Sequence, residues 1–232
     1  KPLTAAAAMV LVDEGQLDLD LPVSVYLGAE VSAGTPQGGV TVRQCLSHTS
    51  GLPFASAAEL RHRGGLARFD GSKFRRYRET GDDSVYDELS LRAAVASYAV
   101  EPLRSPPGTH FLYSNAGINL VGRIIECITG DSFSRFVSRR LLRPLQMIDT
   151  TLWPSEPQLG RLAKSYTSSV PPQREQLREV PFPQLTKPYH DRRRGVAPSG
   201  GYFSTAADCI RFGSAFRSED CPHTRKHKHK AL

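Results

Sequence analysis

Three stretches of this 232-residue sequence bring hydroxyl, imidazole, phenol and amide side chains together. A serine beside a histidine is a candidate nucleophile and base, because a serine hydroxyl attacks only when a base takes its proton. Ser47 and Ser50 flank His48, but neighbours on a turn or helix point apart, so this first stretch favours a structural role. The stretches read Ser47-His48-Thr49-Ser50-Gly51-Leu52, then Pro107-Gly108-Thr109-His110-Phe111-Leu112-Tyr113-Ser114-Asn115, then Pro198-Ser199-Gly200-Gly201-Tyr202-Phe203-Ser204-Thr205-Ala206-Ala207-Asp208.

A second group of reactive side chains lies close to the C-terminus and has metal-binding chemistry. Lysines and arginines are interleaved with it, and they oppose the binding of another cation. We expect adventitious zinc or nickel affinity here rather than a structural metal site, and no cofactor. The potential ligands are Cys221, His223, His227 and His229.

In this order and at these spacings, the three stretches resemble the class C β-lactamase family of serine hydrolases. That family includes penicillin-binding proteins, D-alanyl-D-alanine peptidases, esterases and β-lactamase-like proteins of eukaryotes. The opening adds to the resemblance, because Lys1 to Ala5 and Glu14 to Val23 look like the segment that begins with the family's S-x-x-K motif. The resemblance implies that a serine attacks the carbonyl of a small-molecule ester, amide, peptide or β-lactam and forms an acyl-enzyme.

The resemblance also assigns three catalytic residues. Lys1 matches the lysine of S-x-x-K, Tyr113 the tyrosine of Y-x-N, and Asn115 its asparagine, which binds the substrate amide and the lysine. In the family, the lysine and the tyrosine share the removal of the serine's proton. One helical turn separates serine from lysine, so both side chains lie on one face of a helix.

Two parts of the family pattern have no match at their expected places. The nucleophilic serine should stand three residues before Lys1, and no S-x-x-K occurs elsewhere. The family's K-T-G or H-x-G strand should follow G-G-x-x-S-T, whereas the formal match His62-Arg63-Gly64 precedes Tyr113. An oxyanion hole needs N–H groups from both parts, so we expect an incomplete hydrolase, inactive by itself. The alternative is a non-catalytic pseudoenzyme or interaction module.

Apolar periodicity and capping residues predict mostly helices around these motifs. A helix from Pro2 to Gly15 is apolar on nearly every face, which is typical of a buried central helix. Ala116 to Ile128 has a helical period that ends at Gly130. Ser90 to Val100 also looks helical. Further helices are expected to be capped by Thr41, by Asp131 or Ser132, and by Ser204 or Thr205, the last with apolar positions Ala207, Ile210, Phe212 and Phe216.

The expected fold class is α+β with the β-lactamase/transpeptidase-like fold, of which this chain holds mostly the helical part and an incomplete antiparallel sheet. Residues 56–82 are expected to form a polar, basic insertion, and residues 154–198 long surface loops. We predict one incomplete domain over residues 1–218. A basic His/Lys-rich tail, disordered in this prediction, follows over residues 219–232.

Composition narrows the other function classes. The net charge of +7 comes from two clusters, Arg192 to Arg194 and four cations between Arg225 and Lys230. A nucleic-acid binder would spread basic residues over a face with stacking aromatics, so this class is disfavoured, although Arg61 to Arg78 and the tail keep it as an alternative.

We expect no membrane span, because no run of about 18 apolar residues exists. Four scattered cysteines predict no zinc ribbon or dense disulfide framework. Localisation and oligomeric state stay open, although a periplasmic or secreted place would fit a bacterial source.

Overall fold

A computed structural model describes residues 1–32, 34–56, 90–168, 177–180 and 195–216. Most of the regular structure in these ranges is helical. In chain order the elements are α1 (Pro2–Asp13), α2 (Val23–Leu27), a 3₁₀ turn (Gly28–Glu30), α3 (Val42–Leu46), α4 (Leu91–Tyr98), α5 (Asn115–Thr129), α6 (Phe133–Val137), a π-helical turn (Ser138–Leu142), α7 (Glu156–Leu159), β1 (Ser165–Ser168), β2 (Leu177–Val180) and α8 (Ala206–Ser214).

Helix α5 is the centre of the described core. It packs against α1, α2, α3, α4 and α6. The Ser114 hydroxyl caps its start by accepting the Gly117 N–H, and Gly130 ends it in a left-handed conformation, φ +66°. The predicted helix with its stop at Gly130 is therefore confirmed. Its buried residues are Ala116, Gly117, Ile118, Asn119, Leu120, Val121, Gly122, Ile124 and Ile125.

Side-chain caps begin the shorter helices where the sequence places them. The Thr41 hydroxyl accepts the Gln44 N–H while the Gln44 side chain accepts the Thr41 N–H, a reciprocal capping box. Ser132 rather than Asp131 caps α6, and Thr205 rather than Ser204 caps α8. The cap predictions thus hold, with both open choices now decided.

Helix α1 differs from the expected all-round burial. It packs against α5, α6 and the π-helical turn, and its buried residues form a stripe of Thr4, Ala7, Ala8 and Leu11. Met9, on the other side, is 42% exposed. The described residues therefore cover only part of this apolar helix.

The prediction of long loops over residues 154–198 was wrong in part. This region contains the short helix α7 and an antiparallel ladder in which β1 pairs with β2 from Ser165 opposite Val180 to Ser168 opposite Leu177. Four-residue strands are too short to give a readable alternation of apolar and polar residues. The predicted extent of the sheet stays a prediction, as do the basic insertion, the tail and the domain boundary, which lie almost wholly outside the described residues.

The predicted apolar face of α8 was wrong in part, because Phe212 is half-buried against the core but the other predicted apolar positions are exposed. Ile210 and Phe216 are 68% and 60% exposed, whereas Asp208 is fully buried. The Asp208 carboxylate accepts hydrogen bonds from the Asp149 N–H and the Thr150 hydroxyl, each at 2.9 Å. A polar anchor at Asp208 therefore adds to the apolar contact of Phe212. Among the described residues, no helix has the length and apolarity that a bilayer crossing requires.

Candidate active site

Lys1 lies at the N-terminus of α1, immediately before Pro2 at the first helical position. Its Nζ donates to Asn115 Oδ1 and to the Ser199 carbonyl oxygen, each at 2.7 Å. Asn115 begins helix α5, so one lysine joins the starts of two packed helices to the loop of residues 195–203. Two of the three N–H bonds of the ammonium are thereby directed at carbonyl oxygens.

Tyr113 lies beside this lysine. Lys1 Nζ lies 4.7 Å from the centroid of the Tyr113 ring, within the range of a cation–π contact. The phenol ring contacts the rings of His48 and Phe54, with centroid distances of 4.8 and 6.1 Å, and Tyr113 is 48% exposed. The three residues that the sequence analysis assigned to the site, Lys1, Tyr113 and Asn115, are thus brought together.

Two further contacts hold the 195–203 loop against the helices. The Thr4 hydroxyl donates to the buried Pro198 carbonyl oxygen at 2.6 Å. Asn119 Oδ1 accepts the Ser199 N–H at 3.0 Å, and its Nδ2 donates to the Tyr98 hydroxyl. Both contacts therefore fix the peptide group between Pro198 and Ser199, which directly precedes the carbonyl oxygen that Lys1 binds.

Gly122 permits this close approach of the loop to α5. A Cβ at Gly122 would lie 2.1 Å from Pro198 Cγ, far inside van der Waals contact. Gly200 has no atom within 4 Å of such a Cβ, whereas Gly201 supplies a turn with φ +96°.

The Ser47–Leu52 motif has the structural role that its spacing favours. The Gly51 carbonyl accepts the Arg104 N–H at 2.7 Å, and the Thr49 carbonyl accepts the Gly108 N–H at 2.8 Å. Gly51 has φ +73°, and a Cβ there would lie 2.1 Å from the Ser105 carbonyl oxygen. This turn therefore packs tightly on the segment that leads to Tyr113.

His48 is part of the site's surroundings, although the sequence analysis gave it no catalytic part. Its Nδ1 accepts the Ser114 N–H at 3.2 Å. Burial and the positive charge of Lys1 lower the pKa of His48 below its ordinary value of 6.5, which favours the neutral ring. A clue in the sequence is its position before Thr-Ser-Gly, in a turn where histidine tolerates a left-handed backbone.

Sequence reasoning missed Thr4, Asn119 and Gly122, which position the loop without entering any motif. The whole arrangement places an amine and a phenol together, which is the chemistry of proton transfer. Within the described ranges, no three His, Cys, Asp or Glu side chains gather into a group that could hold a metal ion.

Comparison with known families matches the beta-lactamase family model over residues 1–231. The chain belongs to the beta-lactamase family, as the three motifs indicated. Members related to it include esterases and D-alanyl-D-alanine carboxypeptidases.

Individual relatives agree with this assignment. Esterase EstB of Burkholderia gladioli is 31% identical over 237 residues, covering 94% of this chain and 55% of the esterase. Penicillin-binding protein 4 of Amycolatopsis lactamdurans is 30% identical over 214 residues, covering 91% of this chain and 47% of that protein. The chain spans about half the length of these curated relatives.

A solved structure supports the fold. The D-stereospecific amidohydrolase from Streptomyces sp. superimposes with a TM-score of 0.65 at 27% identity, covering 92% of this chain and 57% of the amidohydrolase. The predicted β-lactamase/transpeptidase-like fold is confirmed at this level.

Proposed function

We propose that this chain supplies the proton-transfer part of a serine hydrolase site that acts on an ester, amide or β-lactam carbonyl. The observation that carries the proposal is the placement of Lys1 Nζ, which binds Asn115 and the Ser199 carbonyl while lying 4.7 Å from the centre of the Tyr113 ring. Membership of the beta-lactamase family supports the reaction class.

In the proposed reaction, the nucleophile is a serine three residues before Lys1. Its Oγ forms a bond to the substrate carbonyl carbon while its proton passes to the pair formed by Lys1 and Tyr113. To accept this proton, the pair must first hold one proton fewer than an ammonium and a phenol together, as an amine with a phenol or an ammonium with a phenolate. The bond to the leaving group then breaks, and the same pair returns the proton to that group. Water repeats the sequence on the acyl-serine ester, which releases the acid and regenerates the serine.

Asn115 has two parts in this proposal. Its Oδ1 fixes the lysine, and its amide nitrogen is available for the substrate's amide carbonyl, as the family resemblance implies. The Ser199 carbonyl accepts the second N–H of Lys1, so only one of the three hydrogen positions on Nζ is left to contact the serine or the phenol. Because only this position is free, proton transfer to or from Lys1 is limited to one direction.

Substrate class is the least specified part. The esterase and the penicillin-binding protein that the chain resembles are named for different ligands, and the amidohydrolase for a third. The shared feature is an acyl carbonyl. We therefore propose acyl transfer to water and leave the choice among ester, amide and β-lactam to assay.

The test uses the product of the complete reading frame that contains these residues, with p-nitrophenyl esters and nitrocefin as substrates. We expect Lys1→Ala and Tyr113→Phe to lower kcat by about 10²- to 10⁴-fold, the usual effect of removing a general base. Lys164→Ala and Tyr166→Phe are the matched controls, because Lys164 forms an ion pair with Glu179 and both side chains are more than half exposed.

Three results would count against the proposal. The first is a folded product with no hydrolysis, which would favour the non-catalytic interaction module. The second is full activity in Lys1→Ala, and the third is an equal loss in the two control variants. The 232-residue chain alone is expected to hydrolyse no faster than its own Lys1→Ala variant.

A further inference from the structure

His48 binds the residues on both sides of Tyr113. Its carbonyl oxygen accepts the Leu112 N–H at 2.7 Å, and its Nδ1 accepts the Ser114 N–H at 3.2 Å. Its imidazole also lies against the phenol ring, with centroids 4.8 Å apart and planes inclined by 34°. One residue therefore fixes the backbone on each side of Tyr113 and contacts its ring.

The backbone of His48 adopts an uncommon conformation, with φ +59°. Residues other than glycine seldom adopt positive φ, and such a conformation persists where surrounding contacts over-determine it. Here the Cys45 carbonyl accepts the His48 N–H, and the neighbouring Thr49 N–H donates to the Gln44 carbonyl. The turn thus holds the carbonyl and the ring of His48 toward the same short segment.

We propose that His48 is the positioning residue of Tyr113, and that its neutral imidazole, with the proton on Nε2 and Nδ1 as acceptor, holds the phenol beside Lys1. The kinetic consequence of this inference rests on the proposed function, whereas the contacts do not. His48 acts through Tyr113, so it is not itself a catalytic residue.

Protonation of His48 would break this arrangement. A proton on Nδ1 would face the Ser114 N–H, so a donor would meet a donor and the hydrogen bond would be lost. Among the described residues, the titratable groups that face this ring are the side-chain ammonium and the α-amino group of Lys1 on α1 and the phenol of Tyr113 on the following segment. The positive charge of Lys1 opposes a second positive charge, and together with burial it lowers the pKa of His48.

The contact can be tested in the 232-residue chain without any enzyme activity. We expect the amide resonance of Ser114 in ¹⁵N–¹H NMR spectra to follow the titration of His48, with a midpoint below 6.5. Lys1→Met should raise that midpoint, because it removes a positive charge. A Ser114 resonance that is independent of pH in the unaltered chain would overturn the inference.

Two histidine variants sharpen this experiment. His48→Asn should abolish the pH dependence, since its Oδ1 can accept the same N–H without titrating, and asparagine tolerates positive φ. His110→Asn is the matched control, because His110 is exposed and bonds to Thr109 instead. Persistence of the pH dependence in His48→Asn would contradict the assignment.

Kinetics of the complete product then test the positioning role. His48→Ala should lower kcat by about 10- to 100-fold with little change in KM, the effect of a displaced reacting group. His48→Asn should have a kcat close to that of the unaltered product. It should also lack the fall in kcat at acidic pH that protonation of His48 causes. His110→Asn should change neither.

The outcomes separate this inference from the proposed function. If Tyr113→Phe loses activity while His48→Ala keeps it, the positioning role is refuted and the hydrolase proposal stands. If the unaltered product has no activity, the hydrolase proposal fails, and the Ser114 resonance alone decides whether His48 holds the segment.

Discussion

Replacing Gly122 with alanine tests how closely the loop that binds Lys1 packs on helix α5. An added Cβ would lie 2.1 Å from Pro198 Cγ and 2.5 Å from Pro198 Cβ, whereas ordinary contacts begin at 3.4 Å. The proline ring cannot rotate away, so the loop itself must move by about 1 Å or more. This movement would also strain the Thr4 bond to Pro198 and the Lys1 bond to Ser199.

The expected loss follows from two opposing effects. Alanine is favoured over glycine inside a helix by about 1 kcal/mol. Overpacking a well-filled contact costs about 1–3 kcal/mol, and each weakened hydrogen bond costs about 1 kcal/mol. We therefore expect Gly122→Ala to lower the free energy of unfolding by about 2–4 kcal/mol, which corresponds to a fall in Tm of about 4–16 °C for a chain of this size.

Gly213 gives the matched control. It also lies in a helix, α8, but a Cβ there would have no atom within 4 Å. Gly213→Ala should therefore keep only the helical gain of about 1 kcal/mol and raise Tm by about 2–4 °C. Thermal and urea unfolding of the 232-residue chain measure both variants. If Gly122→Ala were as stable as Gly213→Ala, the close packing of Pro198 on α5 would be refuted.

Three further predictions concern single side chains. Thr4→Val leaves the buried Pro198 carbonyl without its donor and should lower the free energy of unfolding by about 1–3 kcal/mol in urea titrations; an unchanged midpoint would contradict the contact. The pKa of His48 is lowered in the folded state, so the unfolded chain takes up the proton first as pH falls below 6.5. Stability should consequently fall from that pH down to the lower folded pKa and then level off, and His48→Asn should lack this component in urea titrations at several pH values. Burial raises the pKa of the Cys45 thiol to about 12, so Cys45 should react with Ellman's reagent only after denaturant is added, as mass spectrometry of labelled peptides can show.

Local signals in the sequence predicted six of the eight α-helices that the structure describes, all but the short α2 and α7. Thr41 and Gly130 act within one turn of the chain, so their effect can be read from a few neighbouring residues. The grouping of Lys1 with Asn115 could be expected only from the family resemblance. Their separation along the chain leaves no local pattern that would join them.

Long-range contacts explain what the sequence could not predict. The contact of Pro198 with Gly122 joins distant parts of the chain. A glycine in a helix does not by itself indicate which residue packs against it. The apolar pattern of α8 indicated Ile210 as a buried position. Instead, Asp208 is fully buried and accepts the Asp149 N–H, so the side of α8 that carries Asp208 faces the protein and Ile210 is exposed. Hydrogen bonding to a single carboxylate outweighed the apolar periodicity there.

Hydrogen bonds hold the 195–203 loop at two positions, Pro198 and Phe203. Thr4 holds Pro198, and paired backbone bonds between Thr151 and Phe203 hold the other end. Residues 199–202 must span a fixed distance between these points, so an inserted or deleted residue would shift the Ser199 carbonyl away from Lys1. Functional variants should therefore contain no insertion or deletion within residues 199–202, although substitutions of individual side chains there can be tolerated.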